Sequence, residues 1–492
     1  MKLFKKNVSK VNKENVREGK HHIDSNRQIG VITYGFIILF LVMLAYLGYF
    51  TQVKSKTFIN NPYNKRQALL ESRIIRGDII SREGNVLATT VSDNDGGYYR
   101  SYPYRNTFAH IVGYSTHGVL GVESMENFTL LTCDGNIVSR ISNDLAGRKN
   151  HGDNVYTTLD TAMQEAAYDA MDDRRGAVVA MDVKTGEILC VVSKPDFDPN
   201  EVIGRWDVLN ADTENSPLLN RAFLGSYPPG STFKIVTALE YLKEHNGDVS
   251  DYGFECTGSF EYKGSVINCY NEQVHGWLNF DDSFAKSCNS SFANISSKLD
   301  RRKFSDTIDS LMFNGRLPLP FKYSQGYSDI SKDTSTDELL QTGIGQGRTL
   351  ISPIHMLLIT SAIANDGVLM KPYVISEIRN HDGGTIDRTR QSVYARLIDE
   401  KYTDSLKKMM RQVVVNGTAR RLLDTEGYEI SGKTGSAEYS SNKSLSHAWF
   451  TGFAGKDDDP RIAVTVIVEG GGSGGAVAAP IAKRVFDAYF NK

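Results

Sequence analysis

A serine is followed three residues later by a lysine at the start of a predicted helix, in Ser231-Thr-Phe-Lys234. Residues spaced i and i+3 share one helix face, with Cβ atoms about 5–6 Å apart. A serine hydroxyl becomes a nucleophile when a neighbouring base accepts its proton. A lysine can be that base if its pKa is lowered, and the positive end of a helix dipole lowers it. The pair therefore predicts a nucleophilic serine, Ser231, with Lys234 as its base.

The Ser-x-x-Lys pattern occurs four times in the chain, so the pattern alone is weak evidence. The other three copies begin at Ser283, Ser405 and Ser440, and we interpret them as ordinary helix or loop residues. Only Ser231 follows Pro228-Pro229-Gly230, a sequence that ends a loop and sets a helix entry.

Two further motifs follow the nucleophile in chain order. Ser287-Cys288-Asn289 is a Ser-x-Asn motif, and Lys433-Thr434-Gly435-Ser436 is a Lys-Thr-Gly motif that opens the last strands. Similar triplets at Lys184–Gly186 and Ser92–Asn94 lie upstream of Ser231, so chain order excludes them. The three motifs in this order are those of serine enzymes that recognise penicillin.

The elements around these motifs predict an α/β (α+β) fold. The predicted helices are Thr161–Met171, Ser231–Lys243, Phe280–Leu299, Pro353–Asp366 and Ala479–Tyr489, and the predicted strands are Val155–Leu159, Gly176–Asp182, Glu187–Val192, Tyr428–Ser431, His447–Thr451 and Arg461–Val468. Strands on both sides of a helical block, closed by a last helix, predict an antiparallel sheet covered by helices. We interpret the glycine run 470–475 as a flexible loop.

One apolar run, Val31–Phe50, has 20 residues without a charge. As a helix it would span roughly 30 Å, the thickness of a bilayer's hydrocarbon core. Residues 1–28 hold eight basic and three acidic residues, so the N-terminus is predicted to be cytoplasmic. We expect a cytoplasmic tail at 1–28, a single transmembrane helix at 29–50, a small β-rich pedestal at 51–150 and a catalytic domain at 151–492.

Net charge and cysteine content argue against some classes of partner and cofactor. The chain has 492 residues and a formal net charge of −2, which argues against a nucleic-acid partner. It has five cysteines, and whether Cys256 and Cys269 form a disulfide is left open. Because no paired C-x-x-C spacing exists, we expect no zinc site and no other metal.

The chain resembles the class B penicillin-binding proteins over nearly everything from about residue 70 onward. Besides the three motifs, the resemblance is carried by Arg76–Gly84, Gly118–Glu123, His275-Gly276, Gly343–Gly347 with Ser352-Pro353, and Trp449-Phe450. It implies a penicillin-binding, serine β-lactamase-like transpeptidase domain. We interpret the glycine-rich stretch 343–347 as a structural loop near the floor of the active site.

The resemblance implies acyl transfer on peptidoglycan stem peptides that end in D-Ala-D-Ala. Ser231 would attack the penultimate carbonyl and Lys234 would accept its proton. Ser287 would relay a proton to the leaving D-Ala, and Asn289 would orient Lys234. The backbone N–H groups of Ser231 and Ser436 would form the oxyanion hole.

The same resemblance assigns the Lys-Thr-Gly motif to substrate binding. Lys433 would stay protonated and attract the substrate carboxylate, while Thr434, Gly435 and Ser436 would bind it. β-Lactams would be trapped on Ser231, and no cofactor is expected. A polytopic membrane glycosyltransferase is the expected partner, because the segment before residue 151 lacks a Glu-Asp-x-x-Phe motif and has little room for a glycosyltransferase domain.

Two alternatives belong to other functional classes. One is a serine β-lactamase of the Ser-Thr-Phe-Lys type, against which Asn289, the anchor and the pedestal argue. The other is a β-lactam sensor that is acylated without turnover, against which the short segment 1–28 argues. The expected location is the bacterial plasma membrane, with the catalytic domain outside the cytoplasm.

Overall fold

The computed structural model describes residues 27, 29–50, 66–116, 120–438 and 446–491. Its contacts divide the chain into two units, 1–64 and 65–492. In the first unit, Ile29–Tyr49 is a helix of 21 residues, the one helix among the described residues that is long and apolar enough to cross a membrane. Most of the predicted tail 1–28 and residues 51–65 of the predicted pedestal lie outside the described residues.

Five antiparallel strands form the central sheet of the second unit. Their order across the sheet is Glu429–Glu438, Ser446–Lys456, Asp459–Val468, Gly176–Asp182 and Ile188–Lys194. All seven residues of Gly176–Asp182 are buried, as expected for a continuous apolar strand covered on both faces. The predicted antiparallel sheet is therefore confirmed.

Helices cover both faces of this sheet. The hydroxyl of Thr465 hydrogen-bonds with that of Thr451 in the neighbouring strand. The Thr451 hydroxyl also hydrogen-bonds with Thr360, which lies in the fully buried helix Pro353–Ala364. Val464, the strand residue just before Thr465, lies on the same face of the sheet as Cys190. The Cys190 thiol contacts the helix Thr161–Met171. Because adjacent strand residues point to opposite faces, the two helices lie on opposite sides of the sheet.

A second sheet joins the N-terminal strands to later parts of the chain. Its six strands have the order Thr385–Arg388, Ile375–Arg379, Asn154–Thr157, Ile79–Ile80, Val86–Ser92 and Tyr98–Ser101. Ile79–Ile80 pairs with Val86–Ser92 in the antiparallel sense. Ile79–Ile80 also pairs in parallel with Asn154–Thr157, so strands from before and after residue 150 share one sheet.

The other elements surround these two sheets. The remaining strand pairs are Ile74–Ile75 with Asn150–His151, Phe254–Cys256 with Gly276–Leu278, Ser259–Tyr262 with Ser265–Asn268, and Val368–Met370 with Val393–Arg396. The remaining helices are Arg66–Arg73, Ala109–Val112, Gly121–Met125, Asn127–Leu130, Ile137–Leu145, Val202–Ala211, Arg221–Leu224, Lys234–Glu244, Phe280–Ala285, Asn289–Lys298, Arg301–Ser310, Thr336–Gly343, Glu400–Val415 and Ala479–Phe490. Short helical turns lie at Arg105–Phe108, Gly230–Phe233, Tyr270–Glu272, Arg420–Leu422 and Gly474–Ala478.

One predicted helix, Phe280–Leu299, is wrong in extent. The structure has two helices, Phe280–Ala285 and Asn289–Lys298, with a break between them. At the break, Ser287 has a φ of 56°, a left-handed conformation that a helix cannot contain. Cys288 then caps the second helix by accepting a hydrogen bond from Ser291 N at 3.4 Å.

Candidate active site

Ser231 lies in the short turn Gly230–Phe233, which leads directly into a long helix. The turn is held from two sides. Gly230 N donates to Gly345 O at 2.8 Å, and Trp449 Nε1 donates to Pro228 O at 3.1 Å. The glycine-rich stretch around Gly345, which was predicted to be a structural loop near the active site, therefore supports the turn that carries Ser231.

Gly230 permits a close approach between this turn and the strand that carries the Lys-Thr-Gly motif. Its φ is 53°, and a Cβ at this position would lie 3.0 Å from both Ala437 Cα and Ser436 O. A contact of 3.0 Å is tighter than nearly all real Cβ contacts, and L-residues resist a left-handed φ. Because Gly230 has no side chain, Ser231 can lie close to the strand that carries Ser436.

Two buried lysines converge on the hydroxyl of Ser287. Lys234 Nζ donates to Ser287 O and to Asn289 Oδ1, both at 2.7 Å, and reaches Ser287 Oγ at 3.3 Å. Lys433 Nζ donates to Ser287 Oγ at 2.7 Å and to Thr434 O at 3.1 Å. Both lysine side chains are fully buried, so these contacts replace their hydration.

Burial makes both amines less basic. It lowers the pKa of Lys234 to about 8, while the nearby Cys288 and Cys269 act in the opposite direction. Burial, followed by repulsion from Lys234, holds the pKa of Lys433 well below its usual range. Two ammonium groups on one oxygen repel each other, so we infer that the pair carries one charge near neutral pH. The neutral amine then has a lone pair that can accept a proton.

One cavity of about 1080 Å³ brings the three motifs together. Its lining includes six of the eight predicted site residues: Ser231, Ser287, Asn289, Thr434, Gly435 and Ser436. The other two, Lys234 and Lys433, are buried, and both contact the hydroxyl of Ser287, which lines the cavity. The geometry thus places the predicted nucleophile, Ser231, and Ser287 on one open cavity, with two buried amines against Ser287.

The structure adds two contacts that the motifs did not predict. Thr418 hydrogen-bonds with Thr434 through their hydroxyl groups and lines the cavity, but it belongs to no recognisable motif. Gly474 N donates to Ser436 Oγ at 3.4 Å, and a Cβ on Gly474 would lie 2.4 Å from Gly435 O. The glycine run 470–475 was predicted as a flexible loop, but Gly474 and Gly475 are buried, and Gly474 packs against the Lys-Thr-Gly strand.

The other Ser-x-x-Lys serines have ordinary structural surroundings where the chain is described. Ser283 is buried and its Oγ donates to Asn279 O at 2.7 Å. Ser405 lies within the helix Glu400–Val415. Ser440 lies outside the described residues.

Comparison with known proteins decides the family. The family model of the penicillin-binding protein transpeptidase domain matches residues 176–487, and that of the penicillin-binding protein A dimerisation domain matches residues 76–155. The chain is 30% identical over 481 residues to the peptidoglycan D,D-transpeptidase PbpA of Mycolicibacterium smegmatis, covering 92% of this chain and 96% of that protein. The chain belongs to the class B penicillin-binding proteins.

Solved penicillin-binding proteins share its fold. Penicillin-binding protein A from Mycobacterium tuberculosis, in a ceftriaxone acyl-enzyme complex, superimposes with a TM-score of 0.78 and 28% identity, covering 86% of this chain and 99% of that one. PBP2 of Pseudomonas aeruginosa gives a TM-score of 0.72 and 28% identity, over 85% and 96% of the two chains. The mixed α/β fold expected of this penicillin-binding protein is confirmed.

Proposed function

We propose that this penicillin-binding protein cross-links peptidoglycan stem peptides as a membrane-anchored serine D,D-transpeptidase, with Ser231 as its nucleophile. The observation that carries the proposal is the convergence of Lys234 and Lys433 on Ser287 Oγ, at 3.3 and 2.7 Å. Ser287 and Ser231 line the same cavity. A serine next to this arrangement can give its proton to an amine and later receive a proton back. The D,D-transpeptidase relative and the acylated M. tuberculosis protein support this reading.

The first half of the reaction forms an acyl-enzyme. Ser231 Oγ bonds to the carbonyl carbon of the penultimate D-Ala while its proton passes to Lys234. The proton then moves through Ser287 to the nitrogen of the terminal D-Ala, which leaves as the C–N bond breaks. Backbone N–H groups of Ser231 and Ser436 stabilise the oxyanion, and Asn289 holds Lys234 in place.

The second half transfers the acyl group to an amine. The amine of a second stem peptide attacks the ester carbonyl and loses a proton to the same relay. The bond between the acyl carbon and Ser231 Oγ then breaks, and the relay returns a proton to Ser231 Oγ, which restores the hydroxyl. Once Lys234 has lost its proton, the charge of the lysine pair lies on Lys433, which then attracts the substrate carboxylate. Thr434, Gly435 and Ser436 bind that carboxylate. β-Lactams mimic the D-Ala-D-Ala amide and remain on Ser231.

The remaining segments place this chemistry at the membrane. We propose a cytoplasmic tail at 1–28, a transmembrane helix at 29–50, a pedestal at 51–150 and a transpeptidase domain at 151–492. The apolar helix Ile29–Tyr49 and the basic tip support the anchor and its orientation in the bacterial plasma membrane. A polytopic membrane glycosyltransferase is the proposed partner that supplies glycan strands.

Turnover of a stem peptide tests the proposal. The full-length protein in detergent is incubated with a peptide ending in D-Ala-D-Ala and an amine acceptor, and D-Ala and the cross-linked product are followed by mass spectrometry. We expect both products, and neither with Ser231→Ala. Rapid hydrolysis of penicillin would instead identify a β-lactamase, and acylation by penicillin without release of D-Ala from the peptide would identify a sensor.

A further inference from the structure

The side chain of Gln346 connects the glycine-rich loop to the end of the strand that carries the Lys-Thr-Gly motif. In the amide orientation that gives each group a partner, Gln346 Nε2 donates to Glu438 O at 3.2 Å and Gln346 Oε1 accepts from Glu438 N at 3.1 Å. Both partner groups belong to the main chain of Glu438. Gln346 therefore pairs with this strand as a neighbouring peptide unit would.

This contact lies on the outer edge of the central sheet. The strand Glu429–Glu438 is the edge strand, and its inner side pairs with Ser446–Lys456. In an antiparallel pair, the N–H and C=O groups of alternate residues point toward the partner strand, and those of the residues between them point away. Glu438 directs both groups at Gln346, so Ser436, two residues earlier, directs its N–H to the same outer edge. That N–H group is the one assigned to the oxyanion hole.

The loop that presents Gln346 is the capped end of the helix Thr336–Gly343. Gly345 N donates to Thr342 O at 2.8 Å. Gln346 N donates to Gln341 O, also at 2.8 Å. These two bonds form a Schellman motif, in which the residue after the helix has a left-handed φ that favours glycine. Gly345 has this conformation, with a φ of 77°, so the helix end sets where Gln346 lies.

Two adjacent residues of the loop thus hold the two sides of the proposed oxyanion hole. Gly345 O accepts a hydrogen bond from Gly230 N, next to Ser231, and Gln346 holds the strand that carries Ser436. We propose that Gln346 is a positioning residue that fixes the N–H group of Ser436 relative to that of Ser231. This role rests on the proposed function, in which these two N–H groups stabilise the oxyanion. Gln346 lines the cavity, but its amide is engaged by the strand, so it acts on the reaction through Ser436.

The role of Gln346 has a specific kinetic consequence. An oxyanion hole stabilises charge that develops only as the carbonyl carbon is attacked, so its donors contribute little to the initial binding of substrate. A misplaced Ser436 N–H therefore lowers the maximal rate of acylation and leaves the concentration for half-maximal rate unchanged.

Gln346→Met tests the proposal, because methionine has a similar length and shape but cannot form the two hydrogen bonds. With saturating penicillin, the full-length variant is expected to be acylated roughly tenfold to a hundredfold more slowly, with an unchanged half-maximal concentration. Gln341→Met is the matched control, since Gln341 also lines the cavity but joins the helix end through its backbone oxygen. This control is expected to keep the rate of the unmodified protein.

The acyl-enzyme provides a second readout, which a merely structural role of Gln346 would not change. Penicillin labelled with ¹³C at the β-lactam carbonyl gives an ester band that infrared difference spectroscopy can follow. Weaker hydrogen bonds from Ser231 and Ser436 raise the stretching frequency of this carbonyl. The band is therefore expected at higher frequency in Gln346→Met than in Gln341→Met. An unchanged acylation rate or an unchanged band overturns the proposal.

Hydrogen–deuterium exchange on the unmodified chain remains decisive if Gln346→Met fails to fold. The Glu438 N–H faces the outer edge of the sheet, where Gln346 Oε1 is its acceptor. Slow exchange of this amide is expected at residue resolution, and rapid exchange overturns the proposal. An unmodified chain that penicillin acylates on Ser231 but that does not cross-link stem peptides rejects only the proposed function, because every measurement on Gln346 uses penicillin or the free protein.

Discussion

Lys433 Nζ donates a 2.7 Å hydrogen bond to Ser287 Oγ, although the two residues are 146 positions apart in the chain. Lys234 Nζ reaches the same oxygen at 3.3 Å. A hydroxyl group both accepts and donates hydrogen bonds, so Ser287 can pass a proton between a charged amine and a neutral one. The pH dependence of acylation and the effect of neighbouring charges follow from this contact.

The acylation rate is predicted to rise with pH and to level off above about 8. Burial lowers the pKa of Lys234 to about 8, and only the neutral amine can accept the proton of Ser231. The neutral fraction grows as pH rises through that value, so the rate grows with it. Acylation by a fluorescent penicillin across pH measures the profile, with unfolding followed in parallel to exclude loss of structure. A rate that is the same well below and well above pH 8 would reject Lys234 as the base.

Asn289→Asp is predicted to move this profile to higher pH. Asn289 Oδ1 lies 2.7 Å from Lys234 Nζ, and a carboxylate there favours the charged amine. An adjacent opposite charge shifts a pKa by roughly one to three units, so acylation near neutral pH falls roughly tenfold or more. Asn271→Asp adds the same charge to the cavity lining and serves as the control. Equal profiles for the two variants would contradict the predicted role of Asn289.

Gly230→Ala is predicted to slow acylation as well as to destabilise the fold. A left-handed φ costs an L-residue about 1–2 kcal/mol, and here the new Cβ also meets the strand of Ser436 at 3.0 Å. Gly247 also has a positive φ, 88°, but a Cβ there meets nothing within 4 Å. Gly247→Ala is therefore expected to share the strain and to keep the acylation rate. Denaturant unfolding and acylation kinetics on both variants separate the two effects, and equal rates would reject the close approach.

The sequence predicted two strands of the sheet well because both contain continuous apolar runs. Gly176–Asp182 was predicted with the observed bounds, and Arg461–Val468 lies within the observed strand Asp459–Val468. The helix Thr161–Met171 was also predicted with its observed ends, since Asp160 caps it and accepts a hydrogen bond from Met163 N. Local signals of this kind are contained in the sequence itself.

Features that depend on distant contacts were missed. The helical pattern of Phe280–Leu299 runs through Ser287, but contacts with both lysines hold this residue in a conformation that breaks the helix. The glycines at 474–475 were interpreted as a flexible loop because nothing nearby in sequence shows that they pack on other parts of the chain. Thr418 has no motif, and only the fold brings it to Thr434.

Intact mass spectrometry after exposure to penicillin tests the central claim, that Ser231 is an acylated nucleophile, most directly. The full-length protein is predicted to gain the mass of one penicillin, located on the peptide that contains Ser231. Ser231→Ala is predicted to lose this adduct, with acylation reduced roughly a thousandfold or more. Ser405→Ala, which removes the serine of another Ser-x-x-Lys pattern, is predicted to keep it. An adduct that persists in Ser231→Ala, or that maps to another residue, would contradict the mechanism.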